Sequence, residues 1–429
     1  MNYDCDVIIV GTGAAGLFCA LHLPPELRVT MITKKAADAS DSFLAQGGIC
    51  VMRGEEDYGN FFEDTLRAGH HNNDVRAVDQ MIRFSGGVIE TLLRLGVRFE
   101  RQEDKTLAYT REGGHSRPRI LYHKDISGKE ITEALLRHAR QRTNVTIREN
   151  VTMLDIISAG NRCGGLVISD ERGKVGLLRA PTTVLCSGGL GGLYAHSTNF
   201  SHITGDAVAI AMKNGIDLEG LGRIQIHPTT LYTTKPGRRF LISESVRGEG
   251  ALLLDKNLQR FTDELLPRDR LTQAIRTQMG ADGMPHVWED MRPIGEKVIL
   301  SHFPSIFSYC LEEGIDVRKD LIPVVPAQHY FMGGIQVNLA CQTSMKGLYA
   351  CGETSCNGVH GTNRLASNSL LEALVFSQRA AEDISFSQRY TGRDLLDIDV
   401  DLSAYSDQEA LFDGYKKAIL DAIERNDVL

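Results

Sequence analysis

The sequence predicts an α/β protein built on a Rossmann-like dinucleotide-binding domain, and three observations carry that expectation. Residues 6 to 10, DVIIV, read as a buried strand that leads straight into Gly11, Gly13 and Gly16, a GxGxxG turn. Leu17 to Leu23 begin an apolar helical segment directly after it. Near the other end KGLYACGET, residues 346 to 354, again reads as a short strand followed by a turn, here at Gly352 and Glu353. A strand, a glycine turn and a helix in that order aim the unpaired N–H groups of the helix amino terminus at a pyrophosphate.

Each element has a local reason. Gly11 permits the tight turn, Gly13 lets the backbone approach phosphate, and Gly16 lets helix and strand pack closely. The next strand, RVTMIT, should end in an acid that holds an adenosine ribose, but it ends in Thr33 and Lys34. That departure leaves NAD, NADP and FAD open. In SNSLLEALVFSQRAAEDI, Ser367 to Ser369 offer cap oxygens, and Leu370, Leu371, Leu374 and Val375 recur at helical spacing. An ordinary capped helix packed on the sheet and a helix aimed at a bound ligand both fit that pattern. The final segment, SDQEALFDGYKKAILDAIERNDVL, is charged and helix-like.

Composition narrows the function classes. A chain of 429 residues, 42% hydrophobic and 24% charged, is globular and long enough for two or three domains. Its net charge of -8 gives no reason to expect nucleic acid or an anionic membrane as partner. No apolar run approaches the roughly 18 to 20 residues of a membrane span. The amino terminus runs directly into a strand without the pattern of a secretory leader, so the cytoplasm is the expected compartment. The 9 cysteines show neither a disulfide framework nor paired CxxC metal spacing, and Cys351 and Cys356 read as incidental. No metal site is expected.

The segment TREGGHSRPRI sets Glu112 among three arginines and a histidine. A carboxylate in such company is ordinarily a solvated loop residue in weak ion pairs, worth roughly 0 to 1 kcal/mol. His227 in IHPTT, Arg268 in LPRD, His329 in AQHY and Arg364 in GTNR are further polar candidates. Each has a plainer reading: His227 shapes a turn before Pro228, Arg268 pairs with Asp269 on the surface, and His329 is a satisfied core histidine.

SDSFLAQGGI, SGGLGGLY, TGDAVAIAMKNG, FLISESVRGEGA, LPRDRLTQAI, PAQHYFMGGI and HGTNRLASNSLLEAL follow in that order. Together they resemble the succinate dehydrogenase and fumarate reductase flavoprotein superfamily, most closely its L-aspartate oxidase branch, over roughly residues 4 to 385. The resemblance implies a noncontiguous FAD-binding domain, residues 1–220 and 329–390, interrupted by an α+β capping domain at 221–328. A short helical tail, 391–429, follows. KGLYACGET resembles the second FAD-contacting motif of such flavoproteins, and the helix after it would aim its positive end at a flavin carbonyl.

By the same resemblance Gly11, Thr12, Gly13, Ala14, Ala15, Gly16, Lys34, Asp41, Ser42, Gln46, Gly47, Gly48, Asp206, Glu353, Ser369 and Leu370 contact FAD. For Gln46 to Gly48 a tight turn is the structural alternative. Asp206 also reads as a helix-start carboxylate, and the two roles are compatible. Relatives in membrane complexes bind FAD covalently through a histidine at the position that aligns with Asp41, so noncovalent FAD is expected here.

A C4 dicarboxylate requires donors at both ends, because buried carboxylates are costly unless paired. The resemblance implies that His227, Ser243, His329 and Arg364 hold the substrate and that Arg268 serves in proton transfer. Glu112 would pair with the ammonium of aspartate and repel a dianion that lacks one. The implied activity is oxidation of L-aspartate to iminoaspartate, with oxygen or fumarate as acceptor, in de novo NAD synthesis. A functional link to quinolinate synthase follows from that product. A soluble fumarate reductase or succinate dehydrogenase flavoprotein, and a flavin-binding module without turnover, are the alternatives. The glycines after Glu112 and the DISGKEI segment suit a mobile loop over the site. About 45 residues follow Ile384, where many members of the branch continue into a helical domain. Every assigned motif lies upstream, so that domain is not expected to be needed for flavin or substrate binding.

Overall fold

In the computed structural model, which describes residues 4–390 and 399–426, the amino-terminal strand lies at the centre of a five-stranded parallel sheet. Val7–Val10 pairs with Val29–Thr33 on one side and Thr182–Leu185 on the other. Val145–Glu149 and Leu348–Ala350 form the two edges. Side chains alternate across the sheet. Val7 and Ile9 join the apolar layer that includes helices Ala14–His22 and Asn368–Tyr390. Ile8 and Val10 face a second layer, with helix Asp206–Lys213 and the antiparallel strands Thr152–Ala159, Arg162–Ser169 and Val175–Arg179. Burial on both faces explains why the central strand, VIIV, is a continuous apolar run.

A separate antiparallel sheet joins Ile224–Leu231, Ile322–Phe331, Val287–Asp290 and Leu252–Leu254 in that order. Helices Arg268–Asp282 and Pro304–Glu312 supply Leu271, Ile275, Ile306 and Cys310 to its own apolar core, which runs from Leu231 to Val324. The long strand Ile322–Phe331 continues through residue 328 without a break.

Three local expectations are corrected. The first helix begins at Ala14 rather than Leu17, because Ala14 to Gly16 of the turn are already helical behind Gly13. DISGKEI is not a mobile loop: Ser127–Gln141 is a helix with Ile131, Leu135 and Ala139 buried. Its first residue, Ser127, accepts from His123 N at 2.9 Å and donates to Gly47 O, which ties this helix to the glycine turn at 47 and 48. The hydroxyls of Ser367 and Ser369 are engaged by Glu112 and Arg364 instead of capping the following helix.

In the tail, Gln408–Asn426 is helical and buries Tyr415, Ile419, Ala422 and Ile423 against the second layer, while the expected tail segment 391–398 lies outside the described residues. The 9 cysteines are free and buried. Among the described residues no helix is long and apolar enough to cross a membrane, and no cluster of His, Cys, Asp and Glu is placed to hold a metal ion.

Candidate active site

A continuous pocket runs from the amino-terminal glycine turn, past the start of helix Asn368–Tyr390, to the antiparallel sheet. Every residue expected at the cofactor or substrate lines it except Gly16. Gly16 has a packing role instead: a Cβ there would collide with Gly11 O and crowd Ile9.

The cofactor end is made of backbone and short side chains. Gly11 adopts φ +108°, a conformation that favours glycine, and a Cβ on it would strike Cys186 O. Gly13 precedes helix Ala14–His22 without a side-chain cap, so the helix presents open N–H groups to the pocket. Ser42 Oγ accepts from Ala14 N at 3.1 Å and closes one side of this cradle. At the end of the second strand Lys34 Nζ donates to Asp206 Oδ2 at 2.6 Å and to Thr204 Oγ1 at 3.2 Å. Asp206, the first residue of helix Asp206–Lys213, thus sets a carboxylate beside the end of the second strand and is both helix start and pocket wall.

Asp41 Oδ2 and Oδ1 accept from Asn199 Nδ2 and Phe200 N, each at 2.8 Å. Glu353 Oε1 accepts from Phe331 N at 2.9 Å; burial, with Asp41 nearby, raises its carboxyl to about 8. Ser40 Oγ and Gln46 Oε1 are buried in the pocket wall without partners. Open helix N–H groups, turns with no room for side chains and orphaned polar atoms are the donor set and shape that a dinucleotide requires, so these residues fit FAD.

The other end is charged. Arg268 Nε donates to Glu244 Oε2 at 2.7 Å and Nη1 donates to Gln225 Oε1 at 2.9 Å, which leaves Nη2 uncommitted. This buried pairing replaces the surface pair with Asp269. Arg364 Nη1 donates to Ser369 Oγ at 3.0 Å, its guanidinium carbon lies 4.5 Å from the Tyr330 ring centre, and its Nε has no partner. Burial, with Arg268 nearby, pushes the Arg364 guanidinium down to about 10.

His227 lies inside strand Ile224–Leu231, its ring 5.1 Å from that of His329, and its Nε2 is unpartnered. Burial, and then the Arg268 charge, holds both imidazoles well below the ordinary histidine range, so they are neutral. Ser243 caps the short helix Glu244–Gly248 by accepting from Ser245 N, and it also faces the pocket.

Glu112 is only 3% exposed, which removes it from the solvated-loop class. Its Oε2 accepts from Ser367 Oγ at 2.6 Å. Its Oε1 faces the space beside Gly47, where a Cβ would sit 2.5 Å away. Burial, and then the like charge of Glu244, raises the Glu112 carboxyl to about 7. Glu244 itself is lowered, because burial is outweighed by Arg268 and Arg247.

Gln225, Glu244 and Ser367 are functional candidates that the sequence reading passed over. Gln225 also donates to Asn363 Oδ1 at 2.9 Å and Arg364 O at 2.8 Å, so it joins the two arginine-bearing segments. Its signal was its place two positions before His227 on one strand. Glu244 lay in the quoted segment FLISESVRGEGA.

Residues 6–370 match the family described as FAD binding domain. An L-aspartate oxidase of Clostridium perfringens is 49% identical over 386 residues, 90% of this chain and 88% of that protein. The chain belongs to the L-aspartate oxidase family. A second member, from Clostridium acetobutylicum, is 46% identical over 394 residues, covering 92% of this chain and 91% of its own. Among solved structures, E. coli quinol fumarate reductase superposes with a TM-score of 0.85 at 29% identity, over 97% of this chain and 74% of that one. A flavocytochrome c3 fumarate reductase in an open conformation, at 23% identity and TM-score 0.70 over 89% of this chain and 78% of its own, shares the fold. FAD is therefore the cofactor of this family's pocket, and the α/β fold is that of the fumarate reductase flavoproteins.

Proposed function

We propose that the chain oxidises L-aspartate to iminoaspartate, with noncovalent FAD and with oxygen or fumarate as the final acceptor. One observation carries the substrate assignment beyond the family: a buried carboxylate, Glu112, shares a pocket with two arginines and two neutral histidines. That set matches a molecule with two carboxylates and one ammonium. A dianion alone leaves Glu112 opposed by like charge.

FAD, when bound, supplies the acceptor for the two electrons that leave the substrate's carbon–hydrogen bond. The chain's residues bind and orient. Arg364, with its unpartnered Nε, and the uncommitted Nη2 of Arg268 receive carboxylate oxygens, and His227, Ser243 and His329 complete that shell. Glu112 Oε1 receives the ammonium, while Ser367 holds the other oxygen. Glu244, paired with Arg268 Nε at 2.7 Å, fixes the direction of that guanidinium in the pocket wall. Proton transfer through Nη2 needs the site closed against water. The antiparallel sheet and its helices, taken as a cap over 221–328, supply Arg268, His227 and Ser243 to that closure.

Free buried thiols and the absence, among the described residues, of a membrane-spanning helix support a cytoplasmic enzyme. An iminoaspartate product supports a functional link to quinolinate synthase in NAD synthesis. The test is bleaching of flavin absorbance under anaerobic conditions. Aspartate should bleach it. Bleaching by succinate alone would make the chain a dehydrogenase of dianions, and no bleaching by any dicarboxylate would make it a flavin-binding module.

A further inference from the structure

We infer that Arg119 and His115 are positioning residues that fix the direction of the Glu112 carboxylate, and so help to determine specificity for the substrate's amino group. This rests on the aspartate reading above and extends it to residues that do not line the pocket.

Arg119 is fully buried, an unusual place for a guanidinium unless every donor is used. Its Nε and Nη2 donate to Asp57 Oδ2 at 3.2 Å and Oδ1 at 2.9 Å, and Nη1 donates to Asp64 Oδ2 at 2.7 Å. Both aspartates belong to helix Glu55–Ala68, so the fork is clamped onto one rigid element. The Phe61 ring of the same helix lies 4.9 Å from the guanidinium carbon.

The same Nη1 lies 2.9 Å from His115 Nδ1, and His115 Nε2 lies 3.0 Å from Ala366 O. A guanidinium only donates and a carbonyl only accepts, so one tautomer satisfies both contacts. Nδ1 accepts from Arg119, and Nε2 carries the proton and donates to Ala366. Burial, assisted by the Arg119 charge, lowers this histidine to about 4, so the imidazole stays neutral in that tautomer at ordinary pH.

Ala366 precedes Ser367, which adopts φ +62°, a strained conformation for a residue with a Cβ. In that conformation the Ser367 hydroxyl accepts from Gly48 N at 3.2 Å and donates to Glu112 Oε2 at 2.6 Å. Glu112 and His115 are also joined directly, His115 N donating to Glu112 O at 3.3 Å. The short turn is therefore held at both ends. Arg119 and Ala366 grip the His115 ring, and Ser367, placed by the same Ala366 contact, grips one oxygen of Glu112. Only Oε1 is left for an ammonium.

The experiment uses the full chain loaded with FAD. His115→Leu removes both ring hydrogen bonds, while His115→Gln can restore one donor and one acceptor. His115→Asn, too short to span from Arg119 to Ala366, takes the place of His115→Leu if that variant does not fold. The ratio of kcat/KM for aspartate oxidation to that for fumarate reduction should fall about 10-fold in His115→Leu, mostly in the KM for aspartate, and His115→Gln should recover most of it. An unchanged ratio in a folded, flavin-loaded variant, an equal loss for both substrates, or no recovery in His115→Gln overturns the proposal.

Succinate binding, followed by perturbation of the visible flavin spectrum across pH, separates this from the aspartate reading. Glu112 is faced by Glu244, Arg268 and Arg364 as well as Ser367, and its ionisation weakens binding of the dianion. If the wild type fails to oxidise aspartate, the functional reading falls on its own. The positioning role then stands if the pH step in succinate binding moves in His115→Leu, and falls if it does not.

Discussion

The Asp125 carboxylate accepts a hydrogen bond from Ile306 N at 2.8 Å across 181 positions of sequence. Asp125 lies just before helix Ser127–Gln141, and Ile306 lies in the first turn of helix Pro304–Glu312 of the antiparallel-sheet region. One helix is thus capped by a side chain from a different part of the fold. Asp125→Ala should lower stability by about 1 to 2 kcal/mol, the usual cost of losing a helix cap, with a lower urea midpoint. Asp125→Asn, which keeps an acceptor oxygen, should lose less. Equal midpoints for Asp125→Ala and the wild type would show that the contact contributes nothing.

Glu112 gives the pH dependence. Its carboxyl is raised to about 7, by burial first and Glu244 second, and only the ionised form attracts an ammonium. The kcat/KM for aspartate should therefore rise as pH increases through about 7 and level off above it. Glu112→Gln should remove that step and cost aspartate on the order of 1.5 to 3 kcal/mol, roughly 10- to 150-fold, while fumarate reduction is retained or improved. Glu112→Asp should fall between, since its shorter stem draws the charge back. A pH profile shared by wild type and Glu112→Gln would sink the assignment.

The flavin should be released by denaturation. Asp41 cannot form a histidyl bond, and its two oxygens are already held by Asn199 and Phe200. After acid precipitation the flavin fluorescence should appear in the supernatant. Fluorescence retained by the washed pellet would contradict noncovalent binding.

The carboxy-terminal helix should help to retain FAD. Lys34 Nζ lies 5.0 Å from the centre of the Phe412 ring, and Ile419 packs next to Gly205, whose added Cβ would be 2.9 Å from it. Residues 399–426 thus support the Lys34–Asp206 pair from behind. A chain ending at residue 398 should bind FAD more weakly, measured by ultrafiltration of free flavin, and Phe412→Ala should show part of that loss. Equal flavin retention in all three would confine the helix to covering the apolar layer.

Local pattern made the nucleotide half legible. Val7 to Val10 is a buried parallel strand because an uninterrupted apolar run suits no half-exposed surface, Val29 to Thr33 pairs beside it with Met31 and Ile32 fully buried, and Gly11 is required by a positive φ. The absence of an acid after Thr33 is also legible, but the pairing of Lys34 with Asp206 is not, because the two meet only through the tertiary fold. Similarly, the residues around Glu112 look like an exposed basic loop. Their burial depends on Asp57 and Asp64, whose distance in sequence hides that they neutralise Arg119. The first helix starts three residues before Leu17 because Ala14 to Gly16, which look like part of the turn, already have helical conformation. The DISGKEI segment looks like a loop because its glycine masks the start of the buried stripe, Ile131, Leu135 and Ala139, that makes it helical.

The position of Leu348–Ala350 beside Thr182–Leu185 also governs how the molecule is made. During synthesis Thr182–Leu185 can pair with the amino-terminal strand early, but its other edge stays open until more than 160 further residues have left the ribosome. In that interval the antiparallel sheet, whose core lies between Leu231 and Val324, can fold as a unit of its own and keep its apolar residues off the unpaired edge. Glu353, Arg364, Ser367 and Ser369 follow that strand in sequence, so the pocket acquires its final wall only after the sheet's last edge has been made, and flavin loading waits on that closure.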